Sequence, residues 1–365
     1  MLNYRQLLKF SKKMKREHVI HIVYICLFLA IFTFCYRLQE TVNTLTSQVN
    51  DLPSQLTSQI NTQTKTRVKN FAKGVMKNPC SFLHKVIMKE NLRKYTYVLN
   101  RKIVRNVSRN PYPNKIWFYW SDGLENAPKI VHMCLKSIKK YIPNMEVVLI
   151  NKNNVGEYVK LPAHILEKYE KKIICEAHFS DIVRVNLLKE YGGLWLDSTI
   201  FLTGSLPQDI FKAEFFAPSL CDVNPKKSPE FKYKSLLLPG LFCNYLMYAS
   251  KPHNYVMECM VAFLNEYWKD RDWADYFLFY EFTAVAMEED RKFFDIILNM
   301  LRNHYYPEEP FLKLNTNLDM PYDQETWKQI KEFPIHKICQ AASWHKRKIK
   351  KGTFAEKLSN EELTG

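Results

Sequence analysis

Two carboxylates and a guanidinium stand at spacings that suit the binding of a polyhydroxylated, anionic ligand. Asp181 and Arg184 lie three residues apart in Ser180-Asp181-Ile182-Val183-Arg184. Asp197 comes sixteen residues after Asp181, in Tyr191-Gly192-Gly193-Leu194-Trp195-Leu196-Asp197-Ser198-Thr199. On a helix, residues i and i+3 share a face, so the first acid and the base project together. A carboxylate accepts from hydroxyls or holds a cation, and a guanidinium forks onto anionic oxygens. Set beside one another, these groups read as a site for a nucleotide-linked sugar.

The elements that must position them follow from the flanking residues. Ser180 is a helix-capping residue type, and Ile182, Val183 and Leu187 supply the apolar side of the helix it would open. Gly192 and Gly193 stop that helix and let the chain reverse. Leu194-Trp195-Leu196 is an uninterrupted apolar run that suits a short buried strand, with Asp197 at its carboxyl end, where open α/β sheets bind ligands. Upstream, Lys115-Ile116-Trp117-Phe118-Tyr119-Trp120 has the character of a buried strand, closed by the turn signal Ser121-Asp122-Gly123. Pro128 opens a helix with Val131, Cys134, Leu135 and Ile138 on one side, and residues 146–150 give the next strand. Strands alternating with helices predict a mainly parallel α/β sheet. Further helices are predicted over 254–268 and 276–287. The compact domain is expected over 111–345, with 346–365 as a C-terminal tail.

Composition fixes the broad class. The 365 residues are 47% hydrophobic and 14% aromatic, enough for a normal core. The formal charge is +16, but residues 1–110 alone hold 20 Lys and Arg against Glu17, Glu40, Asp51 and Glu90, and the remainder is balanced. A basic arm beside an apolar segment suits anionic lipid, and with no groove-reading motif present a nucleic-acid partner is not expected. Residues 1–18 are that basic arm, and residues 19–36 are almost wholly apolar and just long enough to span a bilayer. No small-residue cleavage site follows, so 19–36 reads as a retained single-pass anchor with a cytosolic N-terminus. The side holding the compact domain stays open, because a cytosolic sugar donor would require the opposite placement. Residues 37–110 read as a stem. Leu38, Val42, Leu45, Val49, Leu52 and Leu56 form a heptad seam for weak self-association, interrupted by Pro53. Residues 69–109 are basic and amphipathic, as in a helix lying on lipid head groups. Asn106-Val107-Ser108 matches a glycosylation acceptor by pattern. Nine cysteines without a Cys-x-x-Cys pair indicate neither a disulfide framework nor a zinc site, and Cys134, Cys175, Cys243 and Cys259 read as small core residues.

Over 115–337 the chain resembles the capsular polysaccharide synthesis proteins, related to glycosyltransferase family 32. The strings that carry the resemblance are Lys115-Ile116-Trp117-Phe118-Tyr119-Trp120, Asn126-Ala127-Pro128, the block 177–199, Asp275-Tyr276-Phe277-Leu278-Phe279 and Pro334-Ile335-His336-Lys337. It implies a GT-A type fold, with a Rossmann-like sheet, helical C-terminal additions and a divalent cation (Mn²⁺ or Mg²⁺) beside an Asp-x-Asp motif. It further implies transfer from a nucleoside diphosphate sugar to a glycan acceptor, with retention of anomeric configuration.

Carried across by position, Asp181 and Arg184 match helix residues that hold donor sugar and ribose hydroxyls. Asp197 matches the first Asp of Asp-x-Asp and is the expected metal ligand. Thr199 stands where the wider group has the second Asp, and a neutral hydroxyl is a poorer ligand for a hard cation than a carboxylate. His336 and Lys337 are expected to close over the phosphates. Ser180 is placed with the substrate-binding residues, as are Trp117, Tyr119 and Trp120 as candidates beside the base, although as strand aromatics two of these three are expected to be plain core. A fold retained as a glycan-binding or scaffold protein, without transfer, is the rival class that Thr199 keeps open.

Overall fold

The computed structural model describes residues 91–99, 114–220, 242–339 and 348–363. Along the chain the elements are β1 (Lys115–Tyr119), α1 (Lys129–Tyr141), β2 (Glu146–Ile150), α2 (Val155–Tyr158), α3 (Ala163–Glu170), α4 (Glu176–Tyr191), β3 (Gly193–Leu196), β4 (Ile200–Leu202) and β5 (Phe215–Phe216). They continue with β6 (Leu246–Ala249), α5 (Tyr255–Asp270), α6 (Leu278–Glu289), α7 (Arg291–Asn303), α8 (Glu309–Asn317), α9 (Gln324–Lys331), β7 (Ile335–Lys337) and α10 (Phe354–Ser359).

Five strands form one sheet in the order β2-β1-β3-β6-β5. β1 pairs in parallel with both β2 and β3, and β6 runs antiparallel to β3 and to β5. Four of these five strands therefore point one way and β6 is reversed, so the sheet is mixed with a mainly parallel sense. β4 and β7 form a separate antiparallel pair, with Ile200 opposite Lys337 and Phe201 opposite His336.

The alternation of side chains along β1 explains the layering. Trp117 and Tyr119 enter the core that holds α4, α5, α6 and α7. Ile116 and Phe118 face the other core, which takes in α1, β4, β7 and the C-terminal helices α8, α9 and α10. All four residues of β3 are buried, as expected of a central strand covered on both faces. Each Leu, Ile or Val buried this way contributes roughly 1.5–3 kcal/mol.

α4 is buried nearly all round, from His178 to Leu188, rather than along one stripe. Any charge it carries must be paired internally, which constrains Asp181 and Arg184 directly. The helix begins at Glu176 with Cys175 at the N-cap and no side-chain capping bond, so the expectation that Ser180 caps it is corrected: the first turn forms earlier, and Ser180 lies within the helix. The stop is as expected. Gly192 has φ +66°, and a Cβ there would fall 2.8 Å from the Lys251 carbonyl carbon and 2.9 Å from the Ala249 oxygen, leaving room for glycine alone.

Described residues on either side of 111–345 also pack into the two cores. The compact unit begins at Met88. Leu92, Tyr95, Val98 and Leu99 are buried in the α5–α6 core, and Phe354, Ala355 and Leu358 are buried in the other. Residues 91–99, expected to lie on lipid, instead dock on protein, with Tyr95 edge-on to Phe263 and Arg93 paired with Glu288 and Glu289. Their amphipathic pattern is that of a helix covering a core, and sequence periodicity alone does not distinguish the two surfaces.

The single-pass membrane location is also corrected: among the described residues no helix is long and apolar enough to cross a membrane. The apolar run 19–36, the heptad seam 38–56, the rest of the basic stretch and Asn106 lie outside the described residues. Cys134, Cys243 and Cys259 are buried as expected, whereas Cys175 is exposed at the start of α4.

Candidate functional site

Three elements meet at the carboxyl ends of β1 and β3. α4 contributes Asp181 and Arg184, the end of β3 contributes Asp197, and β7 contributes Lys337. Asp181 is 7% exposed; its Oδ1 forms an ion pair with Arg184 Nη1 at 2.9 Å and accepts from Asn244 Nδ2 at 2.8 Å. The other nitrogen of the same guanidinium, Nη2, donates to Asp197 Oδ1 and to Ser180 Oγ, each at 3.2 Å. Trp195 Nε1 adds a bond to Asp197 Oδ1 at 2.9 Å, and its ring lies beneath the guanidinium, with Arg184 Cζ 4.9 Å from the centroid. Lys337 Nζ donates to Asp197 Oδ2 and to Thr199 Oγ1, both at 2.6 Å. The chain of contacts extends outward through Asn244, whose Oδ1 accepts from Tyr280 OH at 2.7 Å.

The secondary structure accounts for this convergence. Period two on β3 puts Trp195 and Asp197 on one side, and the turn closed by Ile200 N on Asp197 O brings Thr199 round to the same place. On β7, Lys337 alternates with the fully buried His336, so one turns to Asp197 and Thr199 and the other to the core.

The two carboxylates are driven apart electrostatically. Burial pushes Asp181 up to about 6, against the favourable pull of Arg184 and with a further push from the charge of Asp197. Burial also acts on Asp197, but Lys337 and then Arg184, with hydrogen bonds from Lys337 and Trp195, outweigh it and hold that carboxyl below its ordinary range.

The donor set does not suit the divalent cation expected at Asp197. Both carboxylate oxygens already accept from N–H donors, two of them cationic, and the neighbouring position 199 offers a hydroxyl that lies on Lys337. Two like unit charges ~4 Å apart repel by about 4 kcal/mol at an effective dielectric of 20, and a doubly charged ion beside Nζ would feel about twice that. Among the described residues no group of three or more His, Cys, Asp or Glu side chains is gathered for a metal.

Of the residues singled out in the sequence, Asp181, Arg184, Asp197, Ser180, Thr199 and Lys337 are therefore brought together. Trp117 and His336 are not. Trp117 is 0% exposed, with Nε1 on the Gly192 carbonyl at 2.8 Å, and serves to fix the helix-to-strand turn. His336 is 0% exposed, bonded to Thr203 Oγ1 at 3.1 Å, and burial lowers it to about 3, so it stays neutral and out of reach of phosphate. Their placement beside the ligand is corrected: alternation turns both into packed layers. Tyr119 is buried and stacks on Trp195, and Trp120 is half-buried at the strand end.

Sequence reading missed Asn244, Tyr280 and Trp195. Trp195 was discoverable, since it sits two residues from Asp197 in a strand. Asn244 and Tyr280 gave no local signal. It also gave no role to Tyr276 and Phe277, which are 68% and 52% exposed, edge to face at 5.2 Å. The loop carrying them is tied to α4 through His178 Nε2 and the Asp275 carbonyl, 3.0 Å apart. Tyr276 feels the charges of Asp181 and Asp197, which add to burial in raising its hydroxyl.

A structure described as PaToxG Glycosyltransferase aligns with 60% of this chain and 85% of its own at 14% identity, with a TM-score of 0.30, too low to carry an argument. O-glycosyltransferase PaGT of Phomopsis amygdali is 28% identical over 155 residues, which are 39% of this chain and 36% of that protein. The match thus spans little more than a third of the relative's length. The family model for capsular polysaccharide synthesis protein matches residues 67–358, most of the chain and all of the site, and the chain belongs to that family.

Proposed function

We propose that this protein is a glycosyltransferase that moves a sugar from a nucleoside diphosphate donor to a glycan acceptor, with retention of configuration, on a sheet of the GT-A type. The observation that carries the reading is the convergence of Asp181, Arg184, Asp197 and Lys337 at the carboxyl ends of β1 and β3. Family membership and the partial match to an O-glycosyltransferase support it.

In the reaction the bond between the anomeric carbon and the diphosphate oxygen breaks, an acceptor oxygen takes its place, and the acceptor's proton leaves with the nucleoside diphosphate. Charge builds on the diphosphate as that bond breaks, so preorganised donors aimed there lower the barrier. Arg184 and Lys337 are the cations of this site, and Asp197 holds both in position. Asp181, steadied by Asn244, offers acceptor oxygens to donor hydroxyls. The exposed rings of Tyr276 and Phe277 offer an apolar face for an acceptor sugar beside the charged cluster.

The test is release of nucleoside diphosphate by the full chain from a panel of UDP- and GDP-sugars, with Asp197→Asn as the control. Release from one donor, accelerated by an acceptor glycan and lost in the control, is expected. A rate no greater than the control for every donor would leave a binding or scaffold protein as the reading.

A further inference from the structure

We propose that the positive charge which receives the leaving diphosphate is Lys337 itself, and that transfer proceeds without a divalent cation. This rests on the glycosyl-transfer reading above and specifies how that site handles charge.

The valence of the ammonium group sets what Lys337 can bind. It has three N–H donors and no acceptor. One lies on Asp197 Oδ2 and one on Thr199 Oγ1, both at 2.6 Å, and the third has no acceptor among the described residues. The side chain keeps 17% of its surface exposed, so the ammonium group is reachable from solvent. The Tyr245 ring lies beneath, with Nζ 5.6 Å from its centroid, and lends the charge a second support. The register of β7 against β4 sets Lys337 opposite Ile200, so the backbone of both strands carries Lys337 and Thr199 to the same point.

Position 199 then has a physical reason to be threonine. A carboxylate there would give the ammonium two anionic partners and leave the cluster with three acids against two bases. Such a site repels a diphosphate unless a cation enters. A hydroxyl orients the ammonium without cancelling its charge, and Asp181, Arg184, Asp197 and Lys337 balance formally at zero. Incoming diphosphate then draws on Lys337 and Arg184 directly. A divalent ion would have to displace Lys337 from Asp197 Oδ2, because Oδ1 already accepts from Arg184 and Trp195.

Two measurements on the full chain test this. In the first, UDP and GDP binding by calorimetry and nucleoside diphosphate release from UDP- and GDP-sugars are followed after exhaustive EDTA treatment and again in millimolar Mn²⁺. Affinity and rate are expected to agree within about twofold, and EPR titration of the wild type is expected to find no tight Mn²⁺ site. In the second, Lys337→Met is expected to lower kcat on the order of 10²–10³-fold, the scale of losing one preorganised donor, with a smaller change in donor KM. Lys337→Arg is expected to restore part of the loss, which a merely structural lysine would not require. The Met variant is first shown to melt as a folded protein. Should it fail to fold, the EDTA and Mn²⁺ arms on the wild type decide alone.

Loss of turnover in EDTA with recovery in Mn²⁺ would overturn the proposal while leaving glycosyl transfer standing. Failure to bind either nucleoside diphosphate, or to release one from any sugar donor, with and without Mn²⁺, would overturn both.

Discussion

Asp181 and Asp197 lie on two nitrogens of one guanidinium, yet their surroundings pull them in opposite directions. On the helix side, Asp181 has Arg184 and the neutral Asn244 as partners, and burial still wins, raising it to about 6. On the strand side, Asp197 has Lys337 as well, and there the cations overcome burial. A shared arginine is thus not enough to keep a buried carboxyl in its ordinary titration range; the second cation decides. Titratable pairs separated in this way are a mark of functional sites, with the two acids taking different tasks.

Removing the charge of each acid sharpens the contrast, starting with the greater effect. Asp197→Asn removes the carboxylate that Arg184 and Lys337 share and is expected to cost about 3 kcal/mol in chemical denaturation and on the order of 10³-fold in donor turnover. An unchanged unfolding midpoint would show that Lys337 and Arg184 do not depend on it.

Asp181→Asn is expected to lower kcat/KM by about 10²-fold while leaving the fold equally or more stable at pH 7.5. The sign follows from the raised pKa. With Asp181 titrating near 6 in the folded chain against an ordinary 3.8, its ionised form costs stability above pH 6, and the cost fades as pH falls toward 4. The stability gain of the variant is therefore expected at pH 7.5 and absent at pH 4 in parallel thermal melts. In the wild type, donor affinity is expected to weaken as pH drops through about 6, and this limb disappears in the variant. A variant destabilised at pH 7.5 would break the comparison.

Tyr276→Ala addresses the rim beyond both acids. Acceptor KM is expected to rise about five- to tenfold, on the scale of one lost stacking contact, with donor affinity unchanged, since the ring is 68% exposed and contributes little to the core. Trp117→Phe is the smallest change: it removes the bond to the Gly192 carbonyl and is expected to cost about 1 kcal/mol of stability without altering KM for donor or acceptor.

The grouping of Asp181, Arg184 and Asp197 was legible in the sequence because these three residues are local to one helix, one turn and one strand. Gly192-Gly193 announced the reversal, the apolar run Leu194-Trp195-Leu196 the strand, and Asp197 its end. The parallel order of β1, β2 and β3 followed from strand and helix alternation. What was not legible depends on distant segments. The antiparallel insertion of β6, the approach of Asn244 to Asp181 and the use of 91–99 and 354–358 as core all join parts of the chain that no periodicity links. His336 and Lys337 show the finer limit: adjacent residues of one recognisable string fall on opposite faces of a three-residue strand, one buried and one on Asp197. Ser180 shows another, for a capping residue type was found inside a helix, accepting from Arg184.

The most direct measurement is a crystal structure of the full chain with the nucleoside diphosphate that the donor panel releases. The diphosphate is expected within hydrogen-bond distance, about 3 Å, of Lys337 Nζ and of the Arg184 guanidinium, with Asp197 still bridging the two. A diphosphate bound elsewhere, with these four side chains closed on one another and untouched, would contradict the account.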